Sequence, residues 1–221
     1  MGAPRPTLLR VLDGQSPAKS APIRVQAEPG QKMEYSGGGY CIVQQLIEDV
    51  SGQPFPVAMK KLVLDRSEMS ASTYEQPIPA ARAGLTSSGH GKDGAPIAGR
   101  WHIYPEMAAA GLWTTPTDLL HFGTELAKSV HGRLNRVLNL KMAGLMLTRQ
   151  KTGYGLGVAL SKEGTRGFLH NGANAGFRSM LIVLDSGDGA AILTNGDNGD
   201  KLYGEILQRI MKIYGWPYNV F

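Results

Sequence analysis

A chain of 221 residues with 42% hydrophobic content can bury one sizeable core, with room for two lobes. Its net charge of +5 comes from scattered basic residues, of which only Lys60 and Lys61 are adjacent, and no basic stripe is interleaved with aromatics, so nucleic acid is not an expected partner. The single cysteine, Cys41, excludes an internal disulfide and a cysteine metal cluster, the five histidines (His90, His102, His121, His131, His170) show no ligand spacing, and no apolar run is long enough to span a membrane; no metal or other cofactor is expected.

Residues 1–31 are rich in Pro, Gly, Ser and Ala. The patch Leu8, Leu9, Val11, Leu12 predicts a short helical turn, followed by extended chain. Met1 to Arg10, with two prolines and one Leu pair, lacks the pattern of a secretory leader, and the compartment stays open. From Tyr40 to Ser51 the spacing is helical. Ile42, Val43, Leu46, Ile47 and Val50 form one broad face, with Gln44, Gln45, Glu48 and Asp49 on the other. Gly52 and Pro54 stop this helix, and Phe55 to Leu64 predicts a second short one. Cys41, in the first turn, reads as packing rather than as a nucleophile. Asp65 to Arg100 has no periodicity, and a loop of that length is usually functional or mobile. Thr115-Pro116-Thr117-Asp118 is a strong helix start, with Thr as N-cap, Pro at N1 and an acid at N3. That helix runs to about Ser129, and Asn139 to Gln150 predicts another. Beyond Lys151 come apolar runs of strand length: Tyr154–Leu160, Met180–Leu184 and Ala190–Asn195. Asp200 to Tyr214 closes the chain as an amphipathic helix.

Strands segregated from helices predict an α+β fold with an antiparallel sheet. The chain reads as a single domain, with a helical and loop lobe at 1–150 and the sheet with its closing helix at 151–221. Among these strands lies Phe168-Leu169-His170-Asn171-Gly172-Ala173-Asn174-Ala175-Gly176-Phe177-Arg178-Ser179. It places His170 on or beside a strand, and Gly172 would let a ligand approach the backbone closely.

Five segments in order carry a resemblance. Tyr35-Ser36-Gly37, ahead of a Gly-Gly-Tyr helix start, resembles the Tyr-x-Asn type second motif of serine β-lactamases and penicillin-binding proteins. The class C β-lactamase-like esterases and D-amino-acid peptidases are the nearest in kind. Ala110 to Leu119 resembles a helix start these proteins share, and Gly153-Tyr154-Gly155-Leu156-Gly157 resembles their strand into the sheet. His170-Asn171-Gly172 resembles the His-x-Gly variant of the third motif, and Thr194-Asn195-Gly196 resembles the close of the last strand. The resemblance runs from about Pro29 to Tyr214. It implies acyl transfer by a serine that a lysine activates one turn later, on a small ester, amide or β-lactam. It implies Tyr35 as proton shuttle, His170 as an orienting group and Ala173 N–H as an oxyanion donor. Ser36 and Gly172 would lie against the substrate. Tyr35 and His170 are then expected to line one cleft.

The first motif, Ser-x-x-Lys, has only one match by letters upstream of the tyrosine, Ser16-Pro17-Ala18-Lys19. Gly14, Pro17 and Pro22 surround it and no apolar face follows, so an exposed loop is expected there and the nucleophile is left unassigned. Lys151-Thr152-Gly153 has the letters of the third motif, but His170-Asn171-Gly172 already fills that position. Gly37 stands where the family usually has Asn, which removes a side-chain amide and leans the reading toward small esters. The chain thus resembles an N-terminally truncated hydrolase that lacks its nucleophile, and its own activity is expected to be weak or absent. The alternative is a non-catalytic binding module, or a structural fragment needing a partner chain. In the family the first two strands sit beside the last one, so the edge of Gly189–Asn195 is expected to pair with a second copy, or with residues 20–28 folded over it.

Overall fold

The computed structural model describes residues 4–162 and 167–217. The chain is α+β, with eight α-helices and one four-stranded antiparallel sheet among the described residues. It divides into two compact units. The first holds the described residues through Val63, together with Ser72–Leu85 and Ile103–Trp113; the second holds Leu64–Ala71, Thr86–His102 and the chain from Thr114 onward.

The first unit is helical. Helix α1 (Leu8–Asp13) is capped by Thr7, whose hydroxyl accepts from Arg10 N–H. Helix α2 (Gly37–Ser51) begins three residues before the periodicity does, because Ser36 supplies the N-cap. It ends at Gly52, whose positive φ of 63° closes the C-terminus. Its sidedness is inverted. Gln44 is buried, and its side chain donates to Pro105 O (3.2 Å) and accepts from Ala108 N–H (3.1 Å). The apolar residues Ile42, Val43, Leu46 and Val50 face outward. Helix α3 (Phe55–Met59) widens into a π-helical turn at Lys60–Leu64. Glu48 accepts from Phe55 N–H at 2.9 Å and so stitches α3 to α2. The short helices α4 (Ala80–Ala83) and α5 (Met107–Ala110) complete this unit. Residues 20–28 form no strand. Ile23 instead lies against the first turn of α2, where a Cβ added at Gly38 would meet its side chain at 3.0 Å. The prolines and the open first turn of α2 give this segment a helix to pack on, and no ladder partner.

The second unit is a sheet between helices. Helix α6 (Pro116–Ser129) starts as its sequence predicts: Thr115 caps, Pro116 is the first residue and Asp118 N–H donates to Thr115 Oγ1 at 3.2 Å. Asp118 itself is buried and accepts from Ala71 N–H at 2.9 Å. Helix α7 (Leu140–Met146) is capped by Asn139. The strands are β1 (Ala159–Leu160), β2 (Gly167–Asn174), β3 (Phe177–Leu184) and β4 (Gly189–Thr194), in spatial order β1-β2-β3-β4. Helix α8 (Gly199–Tyr214) follows. On one face Phe168, Leu181 and Val183 pack with Leu126 and Ala143 of α6 and α7. On the other, Leu169, Ile182, Leu184 and Ala190 pack with Leu207, Ile210, Met211 and Trp216.

Tyr154–Leu160 is a strand only at its last two residues. Gly157 takes a φ of 95°, and Gly155 N–H donates to Val158 O, so most of the run folds into a turn bridged between Tyr154 and Ala159. Among the described residues β4 pairs only with β3, and its other edge carries no strand.

Candidate active site

The third-motif segment is built on β2. The register pairs Phe168 with Val183, His170 with Leu181, Gly172 with Ser179 and Ala173 with Arg178. Side chains alternate along a strand. His170 and Gly172 therefore share the face of Phe168, toward α6 and α7, while Ala173 shares the face of Leu169. A Cβ at Gly172 would run into the Ser179 hydroxyl, so this position is bare backbone facing a serine across the ladder. Strand β1 reaches only Phe168 and Leu169. The ladder on that edge therefore stops one residue before His170.

The end of the sheet beyond this segment is tightly laced. The turn at Ala175-Gly176 abuts Gly89, and a Cβ on Gly176 would lie 2.7 Å from Gly89 Cα. Gly176 N–H donates to Asp197 Oδ1 (3.0 Å), and His90 N–H donates to Gly176 O (3.3 Å). His90 Nδ1 lies 2.9 Å from Asn195 O, Asn195 Nδ2 donates to Ser88 O, and Asn198 Nδ2 donates to Lys92 O. The aperiodic stretch 86–102 is thus fastened to the Thr194-Asn195-Gly196 end of the sheet. Arg178 is engaged by Asp197 (2.9 Å) and by Asn174 O (2.8 Å). It serves the turn. Sequence reading gave no role to His90, Asp197 or Arg178, and took Asn195 only as the close of the last strand. His90 and Asn195 meet across 105 positions, and Asp197 across about 20 from Gly176 and Arg178, so only the folded chain reveals the set.

The second-motif residues lie in the other unit. Tyr35 is exposed, and Ser36 Oγ accepts from Gly39 N–H at 3.0 Å as the cap of α2. That bond gives Ser36 a structural role. Gly37 is the first residue of α2; a Cβ there would meet only Ala109 Cβ, at 3.9 Å, so the position has room for a side chain. Tyr40 and Tyr74 continue a tyrosine cluster. Burial first, and then Tyr35, push the Tyr40 phenol up. Burial, and then Tyr40, push Tyr74 up to about 12. Tyr74 packs edge-on against Phe55 at 5.1 Å. Cys41 is buried, and its thiol is pushed up to about 11 by burial and then by Glu106, which suits a packing residue and not a nucleophile.

The two decoys are both exposed. Ser16 and Lys19 lie in the turn after α1, with Ser16 O accepting from the Arg10 guanidinium at 3.0 Å. Lys151 and Thr152 lie in a turn ahead of β1. His170, Gly172 and Ala173 thus come together on one strand, and Tyr35 and Ser36 at one helix start. No group of His, Cys, Asp or Glu suited to a metal ion occurs among the described residues, and no helix there is long and apolar enough to cross a membrane.

Comparison with known proteins bears on the fold. No match is found among curated proteins. The penicillin-binding protein from Bacillus halodurans is similar in structure, with a TM-score of 0.70 at 19% identity over 92% of this chain and 63% of that one. The D-amino acid amidase from Ochrobactrum anthropi SV3, complexed with D-phenylalanine, gives 0.64 at 23% identity, over 86% of this chain and 64% of that one. The octameric penicillin-binding protein homologue from Pyrococcus abyssi gives 0.65 at 19% identity, over 86% and 44%. The chain therefore spans less than two-thirds of the length of these structures and shares their fold. The family model described as Beta-lactamase matches residues 4–213, nearly the whole sequence, and the chain belongs to that family.

Proposed function

We propose that this chain carries elements of a serine-hydrolase site for acyl transfer. The observation that carries the reading is the setting of His170-Asn171-Gly172-Ala173: a strand segment just past the end of β1, with a glycine where a side chain would crowd Ser179. An acyl group lying along that segment would meet the backbone directly, and Ala173 N–H would serve as an oxyanion donor. His170 would orient the substrate from the α6 face. Tyr35 would move the proton. Its position next to the N-cap of α2 holds the backbone at that point, while its side chain stays exposed. Gly37 offers no amide to grip a peptide carbonyl, which favours a small ester over an amide or a β-lactam. The nucleophile stays unassigned, since the one Ser-x-x-Lys match, Ser16 and Lys19, lies in an exposed turn.

The alternative is a binding module without turnover, alone or with a partner chain. It is favoured by Ser16 and Lys19, which lie in an exposed turn and not on a helix. Self-association through the open edge of β4 is also part of the proposal, in keeping with the octameric homologue.

The test is mass spectrometry after exposure to a fluorophosphonate or to penicillin, alongside hydrolysis of p-nitrophenyl esters. Slow or absent ester hydrolysis is expected of the chain alone; an adduct on any serine would name the nucleophile, and whatever hydrolysis is present should fall roughly 100-fold on Tyr35→Phe or His170→Ala for a general acid–base pathway. Saturable penicillin binding with no adduct and no hydrolysis would replace the hydrolase reading by the binding module.

A further inference from the structure

The turn that closes β2 onto β3 has the wrong hand for a tight hairpin. Ala175 and Gly176 are its two central residues, and of the pair only Gly176 has a positive φ, 79°. Two-residue turns that match the strand twist need a positive φ at the first position, and turns without it splay the strands they join. This turn is held from outside. Gly176 N–H donates to Asp197 Oδ1 (3.0 Å), Asp197 N–H donates to His90 O (2.9 Å), and His90 N–H donates to Gly176 O (3.3 Å), which closes a ring of three hydrogen bonds. Asp197 also holds the Arg178 guanidinium, whose Nη1 donates to Asn174 O and to Phe177 O on either side of the turn, at 2.8 Å each. Gly89 lets the ring close, since a Cβ there would lie 2.7 Å from Phe177 Cε2 and 3.1 Å from Gly176 Cα.

The strand end closed by this turn is the one proposed above to meet the acyl group. Ser161 N–H donates to Gly167 O (3.0 Å), so Gly167 turns its backbone groups toward β1. Every second residue of β2 does the same, which aims Ala173 N–H out of that edge. Strand β1 reaches no further than Leu169, so no strand lies opposite Ala173 among the described residues. The aim of this N–H is set by the pairing with β3 and by the turn two residues on.

We propose that Asp197 is a positioning residue for that site: by clamping Gly176 and Arg178 it keeps Ala173 N–H aimed before a ligand arrives. The inference rests on the acyl-group reading of β2. A donor that is already ordered spares the ligand the cost of ordering it.

Backbone amide relaxation of the full chain by NMR tests it, together with titrations of phenyl acetate and of penicillin followed at the Ala173 amide. In the parent the Ala173 order parameter should be about 0.85, and Asp197→Ala should lower it to about 0.6. The affinity for the bound probe should fall about 10-fold, as expected when one backbone residue must be ordered by the ligand. Asp197→Asn keeps an oxygen for Gly176 N–H and should retain most of the order and the affinity. Gly89→Ala pushes the ring apart without touching the carboxylate and should reproduce both losses. An Ala173 amide as ordered in Asp197→Ala and Gly89→Ala as in the parent would overturn the inference and leave the acyl-group reading standing. So would a parent already mobile at Ala173, or order lost with the affinity unchanged. A parent whose Ala173 amide responds to neither probe would end that reading and the inference with it.

Discussion

Gly123 of α6 faces the sheet beneath the strand that pairs with the His170 segment, and replacing it with alanine probes how closely helix and sheet meet. Glycine inside a helix is ordinarily a liability, so Gly→Ala at an open helical site should stabilise by about 0.5–1 kcal/mol. Here the added methyl would sit 2.7 Å from Val183 Cγ2 and 3.4 Å from Leu181 Cδ1. Val183 is buried and β-branched, so it has no easy rotamer to retreat to. Overpacking of this kind costs about 1–3 kcal/mol. The two terms oppose, and the larger wins: Gly123→Ala should destabilise by about 1–2 kcal/mol, seen as a fall in Tm of roughly 3–6 °C for a chain of this size. Val183→Ala alone leaves a cavity and also destabilises. The double variant puts the new methyl into that space, so the two losses should fail to add by about 1 kcal/mol or more. Urea unfolding of the four proteins measures the cycle. A Gly123→Ala protein more stable than the parent, or strictly additive losses, would show that α6 does not seat on β3 at this distance.

Two further outcomes follow from buried polar groups. Glu125 is buried on α6 and accepts from the N–H groups of Arg136 (2.9 Å) and Val137 (3.3 Å), from the Ser129 hydroxyl (3.3 Å) and from Arg136 Nε (3.0 Å). Glu125→Ala should cost about 2–4 kcal/mol in urea unfolding, with Glu125→Gln losing less; an alanine variant within 0.5 kcal/mol of the parent (roughly the scatter of a neutral surface change) would contradict that network. Alkaline pH should weaken the helical unit. Cys41 and Tyr74 keep their protons in the folded state up to about 11 and about 12, and Tyr40 is raised as well, whereas the unfolded chain gives them up earlier. The unfolded state then binds fewer protons, so stability falls as pH rises above 9. The Cys41 part alone is worth on the order of 2–3 kcal/mol between pH 9 and 11, at about 1.4 kcal/mol per unit. Cys41→Ala should flatten that part of the curve, and a parent protein equally stable at pH 8.5 and 11 would refute the assignment.

Much of this protein is decided locally and can be read from the chain. Thr115-Pro116-Thr117-Asp118 starts α6 because capping needs only a hydroxyl three residues before an N–H. Gly52 ends α2 because only glycine takes the left-handed turn at little cost. The apolar runs after Phe168 become β2, β3 and β4 in order, since tight turns join neighbours in sequence. Five segments in sequence order were enough for the family. The tertiary structure decided matters that depend on distant partners. Periodicity shows that Ile42, Val43, Leu46 and Val50 share a face, but not which way it points. That choice was made by Pro105, Ala108 and Phe55, whose backbone groups take up the side chains of Gln44 and Glu48. Tyr154–Leu160 has strand composition, yet a positive φ at Gly157 and the contacts of its turn leave only Ala159 and Leu160 in the sheet. Residues 20–28 alternate as a strand would, but with no ladder to join they lie with Ile23 on α2. The fastening of 86–102 to Asn195 and Asn198 is likewise invisible in sequence, because a hydrogen bond between residues about 100 positions apart leaves no local pattern at either end.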